Sequence, residues 1–203
     1  HPDLKHRVEG QNLLQDGRVR AALSAFGEAA HWGDKLSQAM VAEIYWEGQG
    51  IRADRARAYA WMDLAAERHF LAFVAKREKY WSQLSESERE NALEIGAQLY
   101  AEYGDDVALP RLEARIDSER VPTGSRTGFS GNGQVVMPET GGTFLTLSII
   151  GLRPQLFGGV QIPLYSYYAP QLWRFDKYVK WQADELELAR RGVVRVGAVN
   201  DAG

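Results

Sequence analysis

The sequence predicts a mainly α-helical fold: a short α-solenoid of helix pairs, then an irregular C-terminal extension with a small β-hairpin and one helix. Three observations lead there. Apolar residues recur at three- and four-residue spacing from Leu4 to Ile116. Within that stretch, Ala22, Phe26, Ala29 and Ala30 recur as Ala58, Met62, Ala65 and Ala66, a constant offset of 36 positions. Beyond Pro122 glycine and proline become frequent and the helical period is lost. The chain therefore divides into a helical-repeat domain, 1–121, and a glycine- and aromatic-rich extension, 122–203, expected to pack on the helical body.

Leu4–Leu14 is expected to be the first helix, with Val8, Asn12 and Leu13 near its inner face, ending at the turn Gln15-Asp16-Gly17. Arg20–Asp34 supplies the second. Small alanines let neighbouring helices approach, and Phe26, Trp61 and Met62 fill the space between them. The strongest stretch is Ser37–Phe70. Its first helix carries Ala39, Ala42, Ile44, Tyr45 and Trp46, its turn is Gly48-Gln49-Gly50-Ile51, and Asp54 is placed to cap the next helix. Its second helix carries Ala58, Trp61, Met62, Ala65 and Ala66 as a core-facing stripe. Gly33 and His69 stand at helix C-termini, where a left-handed residue is common and histidine is less comfortable than glycine.

Leu71–Leu84 continues the period with Phe73, Tyr80 and Trp81. Ser85 with Glu88 three residues on is a capping box. It opens a helix that presents Ala92, Ile95, Leu99 and Ala101 and stops at Gly104. A further helix is expected from Asp105 or Asp106 through Val107, Leu109, Leu112 and Ile116, with Pro110 in its first turns. In the extension, Gln134–Ile150 reads as a hairpin whose second strand is Phe144–Ile150. Gln171–Arg191 reads as a helix with Leu172, Phe175, Val179, Gln182 and Leu186 on one side, and Val193–Val199 as a last strand.

Composition narrows the function. A net charge of −3 and a pI near 5.9 offer no bulk attraction to nucleic acid or anionic membrane, and no nucleic-acid partner is expected. The longest apolar run, Phe144–Leu152, contains Thr, Ser and Gly and is far too short to span a bilayer. With no cysteine there is no disulfide, thiol nucleophile or cysteine-ligated metal. His1, His6, His31 and His69 lack metal-site spacing, so no metal or cofactor is expected. Neither Gly124–Gly128 nor Gly128–Gly133 matches a nucleophile elbow or a phosphate loop, and no enzyme is expected. The chain opens on His1-Pro2 and reads as a processed or trimmed form.

With its Gly-x-Gly turn and paired alanines, Ser37–Phe70 closely resembles a Sel1-like repeat, a relative of the tetratricopeptide repeat. The resemblance is recognisable across 5–34 and weak across 71–104. The first copy lacks Gly-x-Gly, and Val41-Ala42 stands where the family commonly has Leu-Gly. The resemblance implies an α-solenoid adaptor for protein–protein contacts, often secreted or periplasmic in bacteria, with toxin-neutralising or secretion-linked roles as narrower expectations. Repeat scaffolds bind mainly through the first helix of each pair, which points to Glu43, Trp46, Glu47, Arg77 and Tyr80 as contacts for a protein or peptide. Ala22, Phe26, Ala29, Ala30, Tyr45, Gly48, Gly50, Ala58, Trp61, Ala65 and Ala66 are expected to build the repeat core. Two other readings put a site in the aromatic extension: an enzyme or enzyme regulator, or a module for peptides or cell-wall fragments. If the extension filled the repeat groove, it would act as an intramolecular ligand.

Overall fold

Short turns and side-chain caps divide the first half of the chain into helices that are too short to be stable alone and must bury their faces on one another. The computed structural model describes residues 1–119, 134–136, 161–163 and 173–191. The helices are α1 (Pro2–Gln15), α2 (Val19–His31), α3 (Lys35–Glu47), α4 (Arg55–Ala65), α5 (Leu71–Gln83), α6 (Glu86–Tyr103), α7 (Asp105–Glu119) and α8 (Phe175–Arg191). A 3₁₀ turn, Ala66–Arg68, prolongs α4. Helix α1 packs on α2 and α3 on α4. Helix α2 joins the two pairs by packing on α3, while α5 and α6 pack along α4. The paired helices and their 36-residue period are as the sequence predicts.

The caps explain the boundaries. The Asp34 carboxylate accepts from the Ser37 backbone N–H at the start of α3 (3.0 Å), and Asp54 does the same for Arg57 at the start of α4 (2.9 Å). At α6 the Ser85–Glu88 capping box is complete, and its backbone hydrogen bond holds the exposed Glu88 carboxyl below its ordinary range. Helix α3 ends on Gly48 in the left-handed conformation. Two residues on, Gly50 has φ +69°, and a Cβ there would sit 2.7 Å from Val19. Only glycine lets this turn lie against the start of α2. The next helix end does without glycine: His69 is left-handed at φ 58° and exposed.

One core runs through both pairs. Ala22, Phe26, Ala30, Ala39, Ala42, Ala58, Met62, Ala65 and Ala66 are wholly buried at its centre, with Leu36, Met40, Trp61, Phe73 and Tyr80 around them. Gly10 of α1 faces Phe26 so closely that a Cβ would lie 2.7 Å from the ring. Helix α1 therefore touches α2 backbone to ring.

Several expectations need correction. The buried face of α1 is Asp3, Arg7, Gly10 and Gln11, whereas Asn12 is exposed and Val8 and Leu13 are half-buried. An apolar period cannot reveal a buried face built from polar residues that pair after folding. Ala101 is exposed, because α6 turns Ala92 and Gly96 inward. Val107 is exposed and Ala108, Leu112 and Ile116 form the inner row of α7, with Pro110 inside the helix. Strand β1 (Gln134–Val136) pairs antiparallel with β2 (Gln161–Pro163), Val135 opposite Ile162. The segments Phe144–Ile150 and Val193–Val199 lie outside the described residues. Helix α8 forms with Gln182 of the expected row buried and Phe175, Val179 and Leu186 half-buried, and among its described residues Tyr178, outside that row, is buried too.

Behind α3, Lys35 is 2% exposed and its ammonium donates to the Leu64 carbonyl (3.2 Å), Glu67 (2.6 Å) and Asp105 (3.0 Å). Removing one member of a buried charge cluster costs about 3 kcal/mol or more, so Lys35→Met is expected to lower the urea-unfolding free energy by about that amount. In the same assay the exposed, left-handed His69 makes His69→Gly stabilising by about 0.5–1 kcal/mol. Gly50→Ala is expected to destabilise by about 2 kcal/mol, through backbone strain and the clash with Val19.

Candidate interaction site

The last turn of α3 and the second half of α5 meet at a single ring stack. Trp46 lies face to face with Tyr80, centroids 3.8 Å apart and planes parallel. The Tyr80 hydroxyl donates to Glu43 Oε1 at 2.5 Å, and Lys76 pairs with the same oxygen at 2.7 Å. Burial, and then the Glu43 charge beside it, push the Tyr80 hydroxyl far above its ordinary value, so it stays a donor. Glu47, exposed, lies close enough to add to that effect.

Arginines cover the neighbouring rings. Arg55 lies 5.3 Å from the Trp46 ring, Arg57 5.5 Å from Tyr45, and Arg89 5.0 Å from Trp81. The Tyr59 and Trp81 rings are tilted together at 4.8 Å. Arg89 also donates to the Trp81 carbonyl at 3.1 Å, which fixes its guanidinium over the ring. Trp46, Tyr59, Trp81 and Ile95 roof a small apolar cluster of Ala56, Leu84 and Ala92. The ends of α3 and α5 and the beginnings of α4 and α6 thus present half-exposed aromatic rings held by cations.

Of the contacts expected from the sequence, the structure unites Glu43, Trp46 and Tyr80, with Glu47 beside them. Tyr80 is only 2% exposed. It braces Trp46 from below and offers no surface of its own, because its ring completes the core. Arg77 belongs to another cluster, paired with Glu78 (2.6 Å) and Asp63 (3.4 Å). Tyr45, expected in the core, is half-buried under Arg57, since α3 is enclosed at its start and open at its end. Ala22, Phe26, Ala29, Ala30, Ala58, Trp61, Ala65 and Ala66 are buried as expected. Sequence reasoning missed Lys76, Arg55, Tyr59, Trp81 and Arg89. The available signal was Lys76 and Tyr80 four residues apart on one face of α5.

Other chemistry finds little support among the described residues. They hold no group of three or more His, Asp or Glu side chains that could bind a metal ion. An open hollow of about 380 Å³ is lined by Gly17, Arg18, Val19, Arg20, Ala21 and Gly50, none of them an acid, a nucleophile or a histidine. His31 sits edge-on to Trp32, and burial, then nearby Arg111, hold its pKa below the ordinary value. No described helix is long and apolar enough to cross a membrane.

Two helix–turn–helix units at a 36-residue period, packed in register around one core, define a helical-repeat protein. They have the arrangement that a resemblance to Sel1-like repeats implies. No protein-family model matches the chain, and no curated protein matches it. Among solved structures it is similar to a protective antigen present in uropathogenic Escherichia coli strains and displaying an SLR (Sel1-like repeat) fold, at 25% identity and a TM-score of 0.44. The likeness covers 59% of this chain and 26% of the antigen, so the chain spans about a quarter of that protein's length.

Four buried or half-buried tyrosines set an alkaline limit. Tyr80, Tyr100 and Tyr178 hold their protons far above the ordinary range, and Tyr103 is pushed up to about 12, burial being the first cause in each. Above pH about 10 the unfolded chain releases protons that the folded chain retains, so stability falls as pH rises. Tyr80→Phe is expected to cost about 1–2 kcal/mol near pH 8, through the lost bond to Glu43. That difference from wild type should shrink above pH about 10, measured by urea melts with tyrosinate absorbance followed in parallel.

Proposed function

We propose that the protein is a non-catalytic scaffold that binds a protein or peptide on the face built around Trp46. The observation that carries this reading is the clamped ring: Trp46 is half-exposed, yet fixed between Tyr80 and Arg55. Trp, Tyr and Arg supply most strong anchors in protein interfaces. A ring already immobilised loses little further freedom when a partner covers it. Glu47, Arg55 and Arg57 are exposed at the edge of the face, where they can select the partner by charge.

The repeat domain, 1–121, is the binding unit in this reading and residues 122–203 its extension. The Sel1-like resemblance motivates the narrower parts of the proposal: a bacterial, periplasmic or secreted setting and a toxin-neutralising or secretion-linked partner. Affinity capture on the intact chain would identify that partner, and titration calorimetry would then compare variants. Trp46→Ala is expected to weaken binding at least tenfold and Glu47→Arg to change it measurably, with melting curves confirming that both variants are folded. Equal affinity for wild type and both variants would place the binding face elsewhere.

A further inference from the structure

Helix α8 meets the repeat body at a buried carboxylate ringed by apolar side chains. The Tyr178 hydroxyl and the Gln182 side-chain amide, one helical turn apart, both donate to Asp3 Oδ2, at 2.5 and 2.8 Å. All three side chains are buried. The Tyr178 ring packs with Leu112 and Ile116 of α7, and Leu4, Trp32, Phe175 and Trp181 close around them. The outer face of α8 is polar: Asp176, Lys177, Lys180 and Asp184 are exposed, with Lys180 and Asp184 paired within the helix at 3.0 Å.

The receiving side is organised within the repeat body. Arg7, one turn after Asp3, binds the Asp34 carboxylate with two hydrogen bonds, one of them 2.9 Å. Asp34 also accepts from the Ser37 hydroxyl at 2.5 Å and caps α3. Arg7, Asp34 and Ser37 thus hold one another. Asp3 Oδ2 takes its two side-chain donors from α8, and Asp3 Oδ1 has no hydrogen-bond partner among the described residues. A buried carboxylate in this state gains back hydration when the covering helix leaves. The contact is therefore selective for its donors but modest in strength. Burial also raises the Asp3 pKa, in keeping with a carboxyl held away from water.

We propose that the surface between α1 and α7 is a helix-accepting site and that α8 of the same chain fills it as a detachable latch read through Tyr178 and Gln182 on Asp3. The mode is an amphipathic helix laid into an apolar groove, here with a polar lock at its centre. It involves different residues from the Trp46 face, so neither reading depends on the other.

The test uses a labelled peptide spanning residues 173–191 and the full chain. Wild type, whose site is filled, is expected to bind the peptide at least tenfold more weakly than a Tyr178→Ala/Gln182→Ala chain, whose own latch is weakened. Adding Asp3→Ala to that chain should remove the gain. The proposal is overturned if the double variant, shown by circular dichroism to keep its helices, binds no better than wild type, or if Asp3→Ala leaves peptide binding unchanged. Hydrogen exchange on wild type supplies a second arm that needs no variant. Amides of α8 should open together and at least tenfold faster than those of α3, and exchange of α8 at the rate of α3 would equally overturn the proposal.

Discussion

A single ammonium group ties the repeat stack to the helices beyond it. Lys35 is the first residue of α3, where a helix dipole disfavours a cation, and it is withdrawn from water. It is tolerable only because Leu64, Glu67 and Asp105 give its three N–H donors three oxygen acceptors. Arg68 shares Asp105 in a two-bond pair and reaches the Gly33 carbonyl at 3.0 Å. Glu67 in turn accepts from the Asp105 backbone N–H. Burial alone would raise the Asp105 carboxyl, but Arg68 and Lys35 outweigh it and hold the group below its ordinary range. The start of α7, the end of α4 and the turn before α3 are all positioned by this cluster, and the apolar core closes around the geometry it sets.

The Trp46 face is a consequence of that enclosure. Because α3 is covered along its first two-thirds, its only accessible chemistry is in its last turn, where Glu43, Tyr45, Trp46 and Glu47 emerge. Helix α5 meets this turn from the side and lends it Tyr80 and Lys76. The same packing that buries the core therefore stiffens the residues left at its rim. A rigid aromatic rim edged by charges has the fixed side chains on which the proposed binding reading rests.

The opposite edge of the stack obeys another rule. Helix α1 buries a charged row, Asp3 and Arg7, and does so without isolating a charge, because Asp34 at the start of α3 and Tyr178 and Gln182 of α8 supply partners. Such a network specifies who may pack there more than it adds stability. Its polarity also explains why α8 recognises this edge with a hydroxyl and an amide, and not with a purely apolar stripe.

Much of the local structure was legible in the residues themselves. Asp54, Gly48, and Ser85 with Glu88 act on backbone groups within four positions, so their geometry is written in short spacing. The alanine pairs at a 36-residue offset likewise disclosed the repeat, because close helix approach demands small residues wherever it recurs. The sequence also pointed to Glu43, Trp46 and Tyr80, though not to the burial of Tyr80 beneath the Trp46 ring. Pairing between elements decided the rest: the polar inner face of α1, the β1–β2 partnership and the Arg55, Arg57 and Arg89 covers on three rings. These depend on groups brought together only when the chain has closed, and a charged or polar side chain looks solvent-bound in sequence until its partner is in place. So the chain by itself determined its helices, its turns and its repeat, and the tertiary structure alone decided which polar groups would be buried and which aromatic rings would be left at the surface.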